Sequence, residues 1–304
     1  MFHQITIVGT GLIGGSFGLA VKKHGFRGTI VGCDRKPVLA KARKLGAIDR
    51  AVADPIAACA GSNLVLLATP VGGIVELMEK LAPHLPSSTL LTDVGSTKSE
   101  VLRAASRAFG ANVSERFLAG HPMAGKENSG IEFAGADLFR GAVWFLTPQP
   151  GQSLNGKKAR AFISLLKKIG ARVEELDSTD HDRLCAWISH VPQMISTALA
   201  ANLVEEYGPR APLLESGGRA LREMTRIAAS PYSMWRDIAL TNKQHIANAL
   251  LKLEQQLTHI RENLDTRQLE LAFEQAHRLK ANSPQRHRET ENAKSKSKKT
   301  KLHA

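Results

Sequence analysis

The stretch ITIVGTGLIGGSFGLAVKK, Ile5 to Lys23, decides how the chain begins to fold. Ile5 to Val8 is a short apolar run. Glycines follow at Gly9, Gly11 and Gly14, and SFGLAVKKHG then has amphipathic helical spacing. That order predicts strand, glycine turn and helix. Each glycine has its own physical reading. Gly9 permits the tight turn, Gly11 lets the backbone approach a pyrophosphate, and Gly14 lets the helix pack closely on the strand. Leu12 and Ile13 open the helix between them, where unpaired N–H groups and a partial positive charge face the phosphates.

A second apolar run, Thr29 to Cys33, ends in Asp34, 20 residues after Gly14. An acid there suits a ribose 2′-hydroxyl and repels a 2′-phosphate, so NAD is favoured over NADP as cofactor. The neighbouring Arg35 and Lys36 offset part of that repulsion. The alternation then continues. NLVLLATP (Asn63 to Pro70) reads as a buried strand running into a turn at Thr69 and Pro70, with a helix over Val71 to Leu81. TLLTDVGS (Thr89 to Ser96) is another strand, followed by a helix from about Lys98 to Ala108. RFLAGHP and AVWFLTP supply two more strands, and ARVEELD (Ala171 to Asp177) a last α/β unit. Strands separated by helical segments of about 10 to 15 residues predict βαβ units. The expected fold is α/β, a Rossmann-type doubly wound, mostly parallel sheet. Its loops at Ala68–Pro70, Asp93–Thr97 and Ala119–Gly130 gather on the ligand-binding edge.

Beyond Asp177 the pattern becomes helical. Apolar residues recur at helical spacing from His181 to about Tyr207, with a kink or a break expected at Pro192. Further helices are expected over Leu213–Arg226, Tyr232 to about Asn263, and Thr266 to about Lys280. Few charges interrupt Val191–Val204, so that stretch is expected to be buried. ALLKLEQQLTHI is suited to cover a partner chain or to line an internal core. The domain organisation read from this is 1–177 nucleotide-binding, 178–281 helical substrate and dimerisation domain, and 282–304 a basic, disordered tail.

The 304 residues carry a formal charge of +13. Nine Lys or Arg and two acids from Arg278 onward supply +7 of it, leaving +6 for the rest. The charge therefore does not argue for a nucleic-acid partner, apart from nonspecific contacts of the tail. No apolar run approaches a membrane span and no secretory signal opens the chain, so a cytoplasmic protein is expected. Cys33, Cys59 and Cys185 are far apart, without a CxxC pair, and read as reduced core thiols; no metal site is expected.

Several polar residues fit packing poorly. AGHPMAGKENSG (Ala119 to Gly130) places His121 and Glu127 in a Gly/Pro-rich loop just past a strand. Ser96 ends a strand at a helix start, where Thr97-x-x-Glu100 also reads as a capping box. Arg226 lies in REMTRIAASPYSMW, within reach of Glu223 for a surface ion pair.

With GTGLIGGS, ATPV, DVGSTK, GHPMAGKENSG, HDRLCAWISHVPQ and MTRIAASPYSMW in that order, the sequence resembles the prephenate and arogenate dehydrogenases of tyrosine biosynthesis, from Ile5 to about Lys280. The resemblance implies an NAD-dependent enzyme that decarboxylates prephenate oxidatively to 4-hydroxyphenylpyruvate; the apolar helical segments add the expectation of a homodimer through the helical domain. It implies that His121 takes the ring-hydroxyl proton, a task suited to an imidazole. Ser96 then links the nicotinamide region to that histidine, and Arg226 pairs with a substrate carboxylate through its guanidinium fork. Glu127, Asp182 and His190 match positions of the substrate network, each with a plainer reading as a solvated acid or a packed histidine. Trp235 matches a family tryptophan, for which core packing is the simpler account. Gln193 stands where prephenate-handling members often carry a histidine. That departure leaves arogenate, or both substrates, as the alternative. A β-hydroxyacid dehydrogenase and a non-catalytic NAD-binding protein are the more distant rivals.

Overall fold

The computed structural model describes residues 2–126, 128–208 and 216–281. Glu127 and the expected tail 282–304 lie outside them, as do the first residues of the helix expected from Leu213. Strand β1 (Gln4–Val8) pairs in parallel with β2 (Thr29–Cys33) on one side and β4 (Leu64–Leu67) on the other. Among the described residues the sheet has eight strands in the order β3-β2-β1-β4-β5-β6-β7-β8, with β3 at Arg50–Ala51, β5 at Leu90–Asp93, β6 at Phe117–Pro122, β7 at Val143–Thr147 and β8 at Arg172–Glu175. The chain leaves β1 to one side and returns on the other, so the strand order reverses between β1 and β4. Such a switch point opens a crevice at the carboxyl ends of the strands.

Helices α1 (Leu12–Lys23), α2 (Lys36–Lys44), α3 (Pro55–Cys59), α4 (Val71–Leu81), α5 (Ser99–Phe109), α6 (Val113–Arg116) and α7 (Lys157–Lys168) connect or flank these strands. Both faces of the sheet are covered, which is why the strands read as continuous apolar runs rather than alternating ones. Leu64 and Leu66 join a core with Ile5, Ile7, Phe17 and Trp144. Val65 and Leu67, pointing the opposite way, join Val31, Leu91, Ile74 and Met78. β6 and β7 are antiparallel, while β7 and β8 are parallel. The reason is the connection. Between β6 and β7 the described chain forms a single 3-10 turn, Ile131–Phe133, and no crossover helix.

The helical region contains α8 (Ser178–Cys185), a π-helical turn (Ala186–His190) and α9 (Val191–Tyr207), then α10 (Gly218–Thr225), α11 (Tyr232–Thr241), α12 (Lys243–Glu262) and α13 (Arg267–Ala281). The break expected at Pro192 is a π turn. Proline near the start of α9 cannot donate to the preceding turn, and the wider i→i+5 pattern accommodates it without separating two helices. Asn242 divides the single helix expected over Tyr232–Asn263. Val191–Val204 is not buried throughout: only Val191, Gln193 and Ser196 are, and Val204 is 47 % exposed. By packing, the chain divides into two compact units after Ala247, because α8 contacts β7 and α5, and α11 contacts α4. Leu251 and Leu257 of α12, with Leu264, Leu271 and Phe273, are exposed on the second unit. No helix among the described residues is long and apolar enough to cross a membrane.

Candidate active site

The glycine turn sits at the carboxyl end of β1. Gly9 has φ +94°, and a Cβ on it would lie 2.4 Å from the Ala68 carbonyl oxygen. A Cβ on Gly14 would come within 2.0 Å of the Gly9 carbonyl, so only glycine lets α1 descend onto the strand. Gly11 is different: a Cβ there would meet nothing within 4 Å. Gly11 is also the N-cap of α1, and no side chain caps the helix. Its N–H groups therefore open toward unfilled space, the arrangement a pyrophosphate requires. Asp34 Oδ2 accepts from the Thr10 amide at 2.7 Å, and Oδ1 from the Arg35 amide at 2.7 Å. The carboxylate thus braces the turn from the end of β2, with Arg35 exposed beside it. Leu12 and Ile13 are half-buried. Thr69, beside the exposed Pro70, has a buried hydroxyl without a hydrogen-bond partner among the described residues. An uncapped helix end, a cradle without a Cβ and an unpartnered hydroxyl fit a dinucleotide.

His121 is part of β6 rather than of the loop after it. All six residues of that strand are buried, because β7 pairs along it with Phe145 opposite His121. Gly120 precedes the histidine for a steric reason, since a Cβ there would lie 2.7 Å from Trp144 Nε1 and 3.1 Å from the Asp93 carbonyl. His121 as a whole keeps 8 % exposure. Its Nδ1 is 2.9 Å from His181 Nε2, and His181 Nδ1 is 2.9 Å from Asp182 Oδ1. Asp182 also accepts from the backbone amides of Lys98 at 2.7 Å and Ser99 at 2.9 Å, capping α5 from a distant part of the chain. This replaces the expected capping box: Thr97 gives its hydroxyl to Thr241 of α11 at 2.7 Å, and Glu100 pairs with Arg103 on the surface.

Burial, and then the neighbouring His181 ring, Lys98 and the His190 ring, push the His121 pKa well below the usual imidazole value. The His181 pKa is also lowered by burial, although the bond to Asp182 opposes the shift. Burial alone would raise the Asp182 pKa; hydrogen bonds from His181, Ser99 and Lys98 outweigh it and hold the carboxyl below its ordinary value. Both rings are therefore neutral and the acid ionised at neutral pH. Cys185 Sγ lies 3.4 Å from His181 Nε2, with burial pushing its thiol up to about 12. The donor atoms of His121, His181 and Cys185 lie within 4.8 Å of one another. The separation between the two imidazole nitrogens is that of a hydrogen bond, and the trio reads as a bonded chain with a protonated thiol beside it.

Lys98 is fully buried and ion-paired with Asp93, and its Nζ donates to the Gly120 carbonyl at 2.9 Å. Asp93 Oδ1 accepts from the Gly120 amide at 3.1 Å. The pair clamps the backbone next to His121 on both sides. Sequence reasoning missed Lys98, His181 and Asn242. A lysine five residues beyond a strand end and a histidine beside an aspartate carry no local mark of burial.

Ser96 is half-buried, and its hydroxyl has no hydrogen bond among the described residues. His190 is fully buried in the π turn; its Nδ1 is 3.1 Å from Asn242 Nδ2, whose other bond, 2.7 Å to the Asp182 carbonyl, fixes that nitrogen as the donor. His190 Nε2, Trp235 Nε1 and Asn242 Oδ1 lack partners among the described residues. Gln193 Nε2 donates to Thr197 Oγ1 at 3.1 Å and to the Ile227 carbonyl at 2.9 Å, tying α9 to the 3-10 turn that begins at Arg226. Arg226 is exposed, and Glu223 pairs with Arg219 at 2.7 Å.

An open α1 terminus and a buried histidine chain on one sheet edge define a dinucleotide-binding protein equipped for proton transfer, the class of the dehydrogenases. The nucleotide-binding domain model of prephenate dehydrogenase matches residues 17–175, and the dimerization domain model of the same family matches 177–279. A prephenate dehydrogenase of Bacillus subtilis is 34% identical over 90% of this chain and 73% of its own length. A cyclohexadienyl dehydrogenase of Zymomonas mobilis is 31% identical over 80% of this chain and 82% of its own length. The structure of prephenate dehydrogenase from A. aeolicus in complex with hydroxyphenyl propionate and NAD+ superposes with a TM-score of 0.81 at 30% identity, covering 95% of this chain and 98% of that one. The chain belongs to the prephenate dehydrogenase family.

Proposed function

We propose that the protein is an NAD-dependent prephenate dehydrogenase that converts prephenate to 4-hydroxyphenylpyruvate and CO2 in tyrosine biosynthesis. One observation carries the reading: His121 lies at the carboxyl end of β6, on the edge that carries the open α1 terminus, with Nδ1 turned inward to His181. Gly9, Gly11, Leu12, Ile13, Gly14, Asp34, Arg35, Thr69 and Pro70 hold the cofactor, and Asp34 favours NAD over NADP. Bound NAD supplies the hydride acceptor. His121 takes the ring-hydroxyl proton as the carbinol carbon becomes a carbonyl. The ring carboxylate departs as CO2, its bonding electrons complete the aromatic ring, and the phenolate oxygen takes a proton back from His121.

Ser96 joins this proton path. Arg226 holds a substrate carboxylate, and His190 offers a buried N–H from Nε2 to a polar group of the substrate. Glu127 and Asp182 complete the substrate network, Asp182 through its backbone and histidine bonds. The helical region 178–281 supplies the substrate lobe to the nucleotide-binding 1–177 and the seam of a homodimer. The exposed leucines and Phe273 of the second unit support that seam. The enzyme works in the cytoplasm.

A second reading is supported by Gln193. Both of its amide hydrogens are engaged by Thr197 and Ile227, which leaves Oε1, an acceptor, as the spare group. An acceptor suits the ammonium of arogenate better than the keto group of prephenate, so a dual-specificity cyclohexadienyl dehydrogenase is the alternative. Purified protein assayed with each substrate and with NAD or NADP decides between them by kcat/KM. His121→Asn is expected to abolish turnover while substrate binding persists; retained turnover would overturn the proton-transfer role.

A further inference from the structure

His181 is fully buried between His121 and Asp182, and its ring edge packs on Phe145 of β7, with centroids 5.6 Å apart. The proton positions in this chain are determined by counting donors. An ionised carboxylate only accepts, so the proton between Asp182 Oδ1 and His181 Nδ1 belongs to the imidazole. A neutral imidazole has a single N–H, which makes His181 Nε2 an acceptor. The 2.9 Å gap to His121 is then filled by a proton on His121 Nδ1. What is left on His121 is a bare lone pair at Nε2. The Cys185 thiol, 3.4 Å from the same His181 nitrogen, is the weaker competitor for it. Reversing the chain would set two acceptors face to face at Asp182, or require a charged His181 in a buried site.

We propose that His181, held by Asp182, is a positioning residue that fixes His121 as its Nδ1–H tautomer and so presents Nε2 as the acceptor for the hydroxyl proton of a cyclic alcohol. The inference rests on reading His121 as the base. A histidine in the other tautomer would present an N–H to the hydroxyl and have no lone pair to receive its proton. The charged and titratable groups facing His121 are Lys98 at the start of α5, Asp93 at the end of β5, His181, Asp182 and Cys185 on α8, and His190 in the π turn.

The test uses the full chain with 15N-labelled histidine. Long-range 1H–15N correlation spectra of the wild type at neutral pH are expected to show His121 protonated at Nδ1; a His121 protonated at Nε2 would overturn the proposal. His181→Phe keeps the ring volume and removes the acceptor. It is expected to lower kcat by roughly 10²–10⁴-fold, as for a histidine held in the wrong tautomer, with KM little changed. His181→Gln, whose Oε1 can accept from His121, is expected to recover most of that loss. Wild-type kcat in His181→Phe, or no recovery in a folded His181→Gln, would overturn it. If His181→Phe does not fold, the wild-type spectrum alone decides. His121→Asn separates the two claims. Retained turnover there removes the base, whereas a dead His121→Asn beside a fully active His181→Phe removes only the positioning role.

Discussion

The N-termini of α1 and α5 lie on the same edge of one sheet and end in opposite ways. That of α1 has no side-chain cap, and a Cβ on Gly11 would meet nothing within 4 Å. That of α5 is closed by Asp182, which accepts from two successive backbone amides. The N-terminus of α4 is closed in the same manner by Asp237 of α11, which accepts from the Gly72 amide at 2.9 Å. All three ends carry N–H groups without intrahelical partners and a partial positive charge. Where the chain withholds a partner, the result is a seat for an anion. Where the helical region supplies a carboxylate, the result is a joint, and Asp182 uses its joint to aim His181 at His121. The same electrostatics makes a binding site at one strand end and a fixed support at another.

The contrast is open to attack by mutation, and the largest effect is expected at the supported end. Lys98→Met leaves Asp93 buried without its counter-charge and should cost about 3–5 kcal/mol, measured as a shift in urea midpoint. Asp182→Ala leaves two amides and His181 Nδ1 without their acceptor. It should cost about 3 kcal/mol by the same measurement, with a fall in kcat that Lys98-independent repacking would not produce. At the open end, the glycines should separate. Gly14→Ala forces a Cβ toward the Gly9 carbonyl and should destabilise the free protein by about 1–3 kcal/mol. Gly11→Ala should change stability by less than about 1 kcal/mol while weakening NAD roughly tenfold by calorimetry. Equal effects of the two alanines would erase the distinction between packing glycine and ligand glycine.

The buried rings add a response to acid. The His190 pKa is lowered by burial to about 4, and those of His121 and His181 are lowered in the same direction. The unfolded chain binds protons at these rings near pH 6.5, before the folded chain does. The stability they contribute is thus complete above pH 6.5 and is lost as pH falls toward 4. Tm should drop over that window, and His190→Gln should flatten the drop. The kcat/KM profile should hold through neutrality, with its acid limb below pH 6.5.

Much of the α1 side was legible without coordinates. The strand, the glycine spacing and the acid at Asp34 lie within about 30 residues of one another, and Gly9 and Gly14 show the close backbone contacts their positions suggested. The α4 boundaries, Val71–Leu81, were legible from apolar spacing. The α5 side was not. Thr97 and Glu100 have the form of a capping box, yet Asp182 does the capping, because the buried Thr97 hydroxyl goes to Thr241. His121 looked like a loop residue because glycine and proline surround it; pairing with β7 makes it strand. Val191–Val204 looked like core because it lacks charge, and in one chain most of it is uncovered.

The sequence by itself determined the nucleotide-binding half and the change to helix after Asp177, since local sterics and hydrophobic periodicity act over a few turns of chain, and it singled out the histidine proposed as the base. Only the tertiary structure decided which nitrogen of that histidine faces inward, which helix ends stay open and which lysine lies beneath the site. These depend on groups 22 to 165 residues apart meeting at hydrogen-bond distance, and no local pattern records such a meeting.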